Sequence, residues 1–438
     1  MDGVSGADDQ YAHGPVPAGV TVPGWRVGLI VASFSIGLPD FLNGAHNALA
    51  LGLGRAVLAA LIAGAVLCIG GCLTATVSVR SRLSTYLLTR RSFGTRGAAL
   101  INVVVALIHF CWFGVNASFF GEAVGAAAAA NGLPSSFPLM VVIGSVLMTV
   151  STMIGFRALD RLAMLAVPVL AAVLVAVVWA TVGAHGVVTA PSPHPPEPMR
   201  LGIAVSALIG AYMLAVATMP DLTRFVRTRR GALSAMAISF PIATPLMMTA
   251  AAIPALATGE TSLMKLVQTS GFGTAVLFLL VLPTWTINAL NLYSASLSLS
   301  TTFPAVRQWI FVVTGGVVGT VFALLGILDA FIPFVLFLGL IIPPIAAIYV
   351  IDGFTRFRNV DAARSLDGIG AVRWTPLLVW IGSALVASLA AYTDWSLTRV
   401  PALDATLVAA VAYLLALRWE RTSGRAPRWR APAGAARR

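Results

Sequence analysis

The sequence predicts an all-α integral membrane protein of about 12 transmembrane helices, and three observations predict it. Hydrophobic residues make up 58% of the 438-residue chain and charged residues only 10%, against about 25% charged in an ordinary soluble domain. The apolar residues come in long continuous runs near the roughly 20 residues that cross a bilayer core as a helix. The basic residues gather on alternate connections between those runs. A segment inside lipid has no water to satisfy its backbone, so each run must be a helix. The short alternating segments of a membrane barrel are not seen.

The runs begin near Arg26, Arg55, Gly97, Ser135, Arg161, Leu201, Leu233, Gly273, Gln308, Ala330, Trp374 and Pro401. Residues 1–25 form a polar segment with Asp2, Asp8 and Asp9 and without the basic start of a signal peptide, so the first run is expected to be retained. Residues 26–418 form the transmembrane domain, and residues 419–438 a basic tail rich in Pro, Gly and Ala, expected to be unstructured and to anchor topology at anionic lipid. When the runs are threaded in order, all 28 Lys and Arg residues except Arg55, Arg200, Lys265 and Arg399 fall on one side. Positive charge stays inside, so both termini are expected in the cytoplasm. The net charge of +12 and pI near 10.7 are thus topological. No basic stripe with interleaved aromatics points to nucleic acid. Cys68, Cys72 and Cys111 all lie inside apolar runs and imply neither a disulfide framework nor a zinc site.

Polar residues inside such runs are the functional pointers, because each is costly to insert. In the first run, Gly37-Leu38-Pro39-Asp40 is followed by Asn43, His46 and Asn47. Proline removes a backbone donor and glycine leaves the helical region easily, which predicts a helix broken near mid-membrane. Such breaks line cavities and can hold cations. The competing reading of Asp40 is a salt bridge at a simple proline kink. In the third run, His109, Trp112 and Asn116 share a face at helical spacing. Trp112 offers a stacking surface and Asn116 an amide, while His109 reads as a helix–helix contact. The sixth run has a weaker break signal at Gly210-Ala211-Tyr212 and ends at Pro220-Asp221. The eighth is the most polar, with Thr284, Asn288, Asn291 and Ser298 on one face. Buried amides there need partners, either in neighbouring helices or in a polar ligand. The sequence shows no phosphate loop, paired-histidine metal motif or nucleophile elbow, so an enzyme is not expected.

Several stretches together resemble the nucleobase:cation symporter-1 family, and within it the cytosine and purine permeases. They are Gly14-Pro15-Val16-Pro17, the segment from Leu83 to Gly94, Trp112-Phe113-Gly114-Val115, Pro220-Asp221-Leu222-Thr223-Arg224-Phe225, Trp285-Thr286-Ile287-Asn288 with Asn291-Leu292-Tyr293-Ser294, and Ile341-Ile342-Pro343-Pro344. The resemblance implies a leucine-transporter-like fold. Two inverted five-helix repeats would span about 26–185 and 201–351, with extra helices at 374–393 and 401–418. It implies a substrate stacked between Trp112 and Tyr212 and held by Asn288, with Asn116 where some relatives carry a polar contact; Asp40, an acceptor for ring or exocyclic N–H groups, and Asn291 are read from the residues themselves as further polar contacts. It also implies a sodium site with Thr286 and the carbonyls of Ser35 and Leu38. Ile287 stands where relatives carry a second hydroxyl, and Ala289 and Leu290 replace the middle of an Asn-Asp-Asn-Asn pattern. Proton coupling through Asp40 therefore rivals sodium.

The expected function is uptake of a nucleobase or related nitrogen heterocycle by symport with Na+ or H+, with alternating access. No covalent cofactor and no obligatory protein partner is expected. The alternatives are a permease for allantoin, hydantoin or a thiamine-related pyrimidine, and an uncoupled sensor or channel.

Overall fold

The computed structural model describes residues 14–17, 19–33, 37–154, 157–393 and 395–423. Within them the regular elements are helices, apart from an isolated bridge between Val22 and Val226. The first run is split into α1 (Gly24–Ser33) and α2 (Leu38–Leu51). Gly37 before α2 is extended, with φ −144° and ψ 163°, and Pro39 occupies the first turn, where a missing N–H costs no hydrogen bond. α3 (Leu53–Ser81) returns through the bilayer, α4 (Thr85–Phe93) is a short helix, and α5 (Thr95–Ala130) is the longest helix described. Between α4 and α5, Gly94 has φ 87°, and a Cβ on it would stand 2.8 Å from the carbonyl oxygens of Gly370 and Ala371. Both the backbone and the close approach therefore require glycine.

α6 (Phe137–Ile154), α7 (Arg157–His185), α8 (Leu201–Ala217) and α9 (Met219–Thr223) follow. The seventh run is α10 (Arg229–Ile238), a π-helical turn (Ser239–Ala243) and α11 (Thr244–Thr258). After the short α12 (Leu263–Thr269) come α13 (Thr274–Thr302), α14 (Gln308–Leu324), α15 (Phe331–Phe354), α16 (Trp374–Tyr392) and α17 (Pro401–Thr422). Among the described residues, 8 helical segments are long and apolar enough to cross a membrane, and Phe137–Met153 and Gln308–Leu324 are shorter apolar helices. Helix occupies each of the expected runs, consistent with about 12 crossings. The short α4 and α12, which lie between runs, were not expected.

The sixth run differs from expectation. α8 passes unbroken through Gly210, and the interruption falls at Thr218, just before Pro220. Gly210 serves a crossing instead: a Cβ there would sit 1.8 Å from the Val335 carbonyl oxygen of α15. A small residue that lets two helices touch reads, from sequence, like a break.

The motifs outside the runs meet on the arginine-rich face. Asp221 accepts a hydrogen bond from the Thr85 N–H at 2.8 Å and so caps α4 together with Ser84, which accepts from the Leu87 N–H at 3.3 Å. Ser78 donates to the Pro220 carbonyl at 3.0 Å. The N-terminal segment joins by backbone bonds from Val16 to Arg82 and from Val22 to Phe225. Arg373 is the hub. It donates to Asp352 at 3.1 Å, to the Ser92 carbonyl at 2.6 Å and to the Tyr413 hydroxyl at 3.2 Å. Tyr413 in turn donates to Asp352 at 2.8 Å. This ties α4, α15 and α17 together. Asp352 beside it raises the pKa of the Arg373 guanidinium against the lowering effect of burial.

Candidate functional site

The break between α1 and α2 places Asp40 in the first turn of a helix that begins inside the membrane. Asp40 is 7% exposed. Its carboxyl folds back over Gly37 and takes the Gly37 N–H, half of a capping box. Tyr212 of α8 supplies a hydroxyl to the same carboxyl. A second link joins these helices farther along α2, where the buried Asn43 donates to the Ala207 carbonyl at 3.5 Å and accepts from Asn47 at 3.0 Å. Among the described residues no Lys or Arg pairs with Asp40; the ion pairs are Lys265–Glu260, Arg356–Glu420 and Arg373–Asp352. The salt bridge weighed for Asp40 is not formed.

The second half of the site lies where α13 packs along α5. Trp112 is half-buried, with the rings of Phe331 and Phe334 edge-on to it at 6.2 and 5.4 Å between centroids. Asn116 donates to the Trp112 carbonyl at 2.9 Å. Asn288 donates to the Phe113 carbonyl at 3.0 Å and to the Met148 sulfur at 3.2 Å. Donation to carbonyls fixes which way each amide points. The Oδ1 atoms of both side chains are left buried without a partner. An unsatisfied acceptor in a low-dielectric interior is costly, and a ligand donor is one remedy.

Asn291 behaves differently, because its Oδ1 meets His109 Nδ1 at 3.1 Å. His109 is thus the helix–helix contact expected of it, and Asn291 is its partner. Thr286 donates its hydroxyl to the Leu282 carbonyl at 3.1 Å. Leu38 opens α2, and the free backbone groups at a helix start are N–H donors, not carbonyls. Ser35 lies outside the described residues. α13 packs on α5, α7 and α14 and is not a principal neighbour of α2. Of the residues the resemblance implies for a sodium site, Thr286 and Leu38 are thus described and Ser35 is not, and the Ile287 side chain carries no oxygen.

Asn116 and Asn288 thus belong to the packed pair α5 and α13, the Trp112 ring turns to Phe331 and Phe334 of α15, and Asp40 and Tyr212 meet between α2 and α8. α2 packs on both α5 and α8. Sequence reasoning missed Phe331 and Phe334, which look like ordinary residues of an apolar run. It also missed Thr244, a fully buried hydroxyl without a partner at the start of α11. The prolines at 241 and 245 on either side of it were the available signal.

Residues 30–415 match the family described as permease for cytosine/purines, uracil, thiamine, allantoin. The chain belongs to this family. Cytosine permeases of Escherichia coli strain K12 and of O157:H7 are each 27% identical over 402 residues, covering 87% of this chain and 93% of theirs. Among solved structures, the inward-facing conformation of Mhp1 matches with a TM-score of 0.81 at 20% identity, covering 94% of both chains. Mhp1, a nucleobase-cation-symport-1 family transporter, in a closed conformation with bromovinylhydantoin bound matches at 0.75 and 20% identity, over 93% of this chain and 95% of that one. A substrate-bound, outward-open Na+-coupled sialic acid symporter matches at 0.63 and 13% identity, over 94% and 92%. The protein is a multi-pass membrane permease of the nucleobase type with a leucine-transporter-like fold.

Proposed function

We propose that the chain is a secondary active importer of a nucleobase or closely related nitrogen heterocycle, driven by symport with a cation through alternating access. The observation that carries this reading is the pair of buried amides on Asn116 and Asn288, whose carbonyl oxygens lack a partner, on the packed helices α5 and α13, the first of which also carries Trp112. A flat heterocycle stacks on Trp112 and donates ring or exocyclic N–H groups to these oxygens. Asp40 and Tyr212 close the site from the α2–α8 side and are its second pair of contacts. Asn291 contributes through its bond to His109, which holds α13 in register on α5. The arginine-rich face is cytoplasmic, with both termini on that side of the cytoplasmic membrane, and the repeats lie at about 26–185 and 201–351.

Coupling requires that the cation bind the substrate-competent state better than the other state, since only differential affinity shifts an equilibrium. Uptake of radiolabelled cytosine, uracil, adenine, hypoxanthine and allantoin into proteoliposomes, under separate sodium and proton gradients, tests the proposal. Saturable uptake driven by one gradient and lost in Trp112→Ala supports it. Uptake of none of them by folded protein rejects it. The Ile287→Thr variant adds an oxygen to the α13 cation position. It should gain sodium dependence if that position is where sodium acts.

A further inference from the structure

Two helices start side by side on the arginine-rich face. α1 and α10 run in the same direction, with Gly24 against the backbone of Gly231 and Gly28 against Ala235. A Cβ on Gly28 would stand 3.3 Å from the Ala235 Cα, and one on Gly231 3.5 Å from the Gly24 Cα. The chain around the two starts is joined as well, by the Val22 N–H to the Phe225 carbonyl at 2.8 Å and the Arg227 N–H to the Val22 carbonyl at 3.2 Å. Farther along, Ser239 donates to the Gly28 carbonyl at 2.9 Å.

Because the pair is parallel, its register shows which side chains share a flank. A helix turns about 100° per residue. Trp25 and Leu29 follow the contact residues Gly24 and Gly28 by one position, and Arg230 and Ser234 precede Gly231 and Ala235 by one. In two parallel helices those positions turn to the same side of the seam, and Ile238 continues the row of Arg230 and Ser234. Protein does not cover this flank. Trp25, Leu29 and Ile238 are 63%, 63% and 61% exposed, and Arg26, Arg230 and Ser234 are exposed with them. The Arg26 guanidinium lies over the Trp25 ring, 5.6 Å from its centroid, which brings a second positive charge to the same flank. Among the described residues neither arginine is in an ion pair.

The flank is graded along the helix axis. Two unpaired guanidinium groups and an indole stand at the helix starts, and apolar side chains follow one and two turns deeper. Between the rows the floor is made of Gly24, Gly28, Gly231 and Ala235, which leaves a shallow groove. An exposed indole belongs at the membrane–water boundary. Guanidinium forks fit phosphate oxygens, and an apolar groove running inward from them fits a hydrocarbon chain. The ligand with both parts in that order is a lipid carrying net negative charge.

We propose that the seam of α1 and α10 binds an anionic glycerophospholipid. Arg26 and Arg230 hold its phosphate, Trp25 lies at its headgroup, and an acyl chain runs along Leu29 and Ile238. The lipid braces α1, the half of the first run that stands before the break at Gly37, against the seventh run. The site does not depend on which heterocycle the chain carries.

The test uses the purified full-length protein in phosphatidylcholine nanodiscs prepared with graded fractions of phosphatidylglycerol or phosphatidylcholine whose acyl chains carry bromine, a contact quencher of tryptophan fluorescence. The Trp25 signal is the difference between wild type and Trp25→Phe. It should be quenched at lower fractions of brominated phosphatidylglycerol than of brominated phosphatidylcholine. Arg26→Gln and Arg230→Gln should each cut that preference about 5-fold, the equivalent of one basic residue near an anionic surface. Arg418→Gln, exposed near the end of α17, should leave it unchanged. Equal quenching by the two lipids in the wild type, a measurement that needs neither arginine variant, would overturn the site. So would an equal loss in Arg418→Gln, which would reduce the preference to general surface charge. Abolition of the preference by inorganic phosphate at constant ionic strength would assign the arginines to a free anion and overturn it as well.

Discussion

The arginine-rich face pairs its buried charges, and the mid-membrane site leaves its buried amide oxygens open. On the face, an ion-pair hub closes on itself, with Arg373 reaching Asp352, Tyr413 and two carbonyls of α4 and Asp221 capping that helix, while Arg82 Nη1, Thr85 Oγ1 and Arg91 Nε stay buried without a partner. At mid-membrane, Asn116, Asn288 and Thr244 each keep a buried oxygen without a partner. The difference separates scaffold from site. A closed ion-pair network holds a fold together, and an open amide acceptor in a low-dielectric interior is a group that a ligand donor can complete. The family motifs divide along the same line. The stretches around Leu83–Gly94 and Pro220–Phe225 serve the face, and those around Trp112 and Asn288 serve the site.

If that division holds, substitutions on the face cost stability and those at the site cost binding. The largest effect is expected at Arg373. Its replacement by Ala strands a fully buried Asp352, and breaking a buried pair costs roughly 3–5 kcal/mol. Thermal unfolding of the detergent-purified variant should show a large drop or outright loss of monodisperse protein. A variant as stable as wild type would remove the hub. Next comes Trp112→Ala, which should weaken heterocycle binding by roughly 1–3 kcal/mol, the range for an aromatic stacked on a base. Its melting temperature should move little, because Trp112 meets Phe331 and Phe334 only edge-on. Equilibrium binding by scintillation proximity separates the two effects.

Legibility from sequence followed the physics of each feature. The break in the first run was readable because Gly37 and Pro39 act on their own backbone. Asn116 and Asn288 were readable because amides are conspicuous among apolar residues. Gly210 misled, since a glycine that permits contact with Val335 has the same letter as one that bends a helix. Thr244 was invisible because threonine in a membrane helix commonly satisfies itself on the preceding turn, as Thr286 does on Leu282. The hub at Arg373 was hidden for another reason: an arginine at the end of a run already has a sufficient explanation in topology. Only three-dimensional proximity shows that this one is enclosed.

The smaller effects sharpen the comparison, because Asn288 and Asn291 lie within a turn of each other on α13 and are assigned to opposite sides of it. Asn288→Ala removes an open acceptor, so the loss should fall on the ligand, about 1 kcal/mol of binding for one hydrogen bond. Asn291→Ala removes a closed pair with His109 at 3.1 Å, so about the same energy should leave stability instead, with affinity unchanged. Asp221→Ala is a third, gentler probe. It strips the Thr85 N–H at the start of α4 of its acceptor, at a cost of about 0.5–2 kcal/mol in stability. It should do so without altering affinity, because α4 lies on the arginine-rich face away from Trp112. Measuring binding and unfolding on all three proteins places each on one axis. An Asn291→Ala variant that lost affinity while keeping its melting temperature would show that its bond to His109 opens when substrate arrives. In that case closed and open would describe stages of the transport cycle and no longer two regions of the molecule.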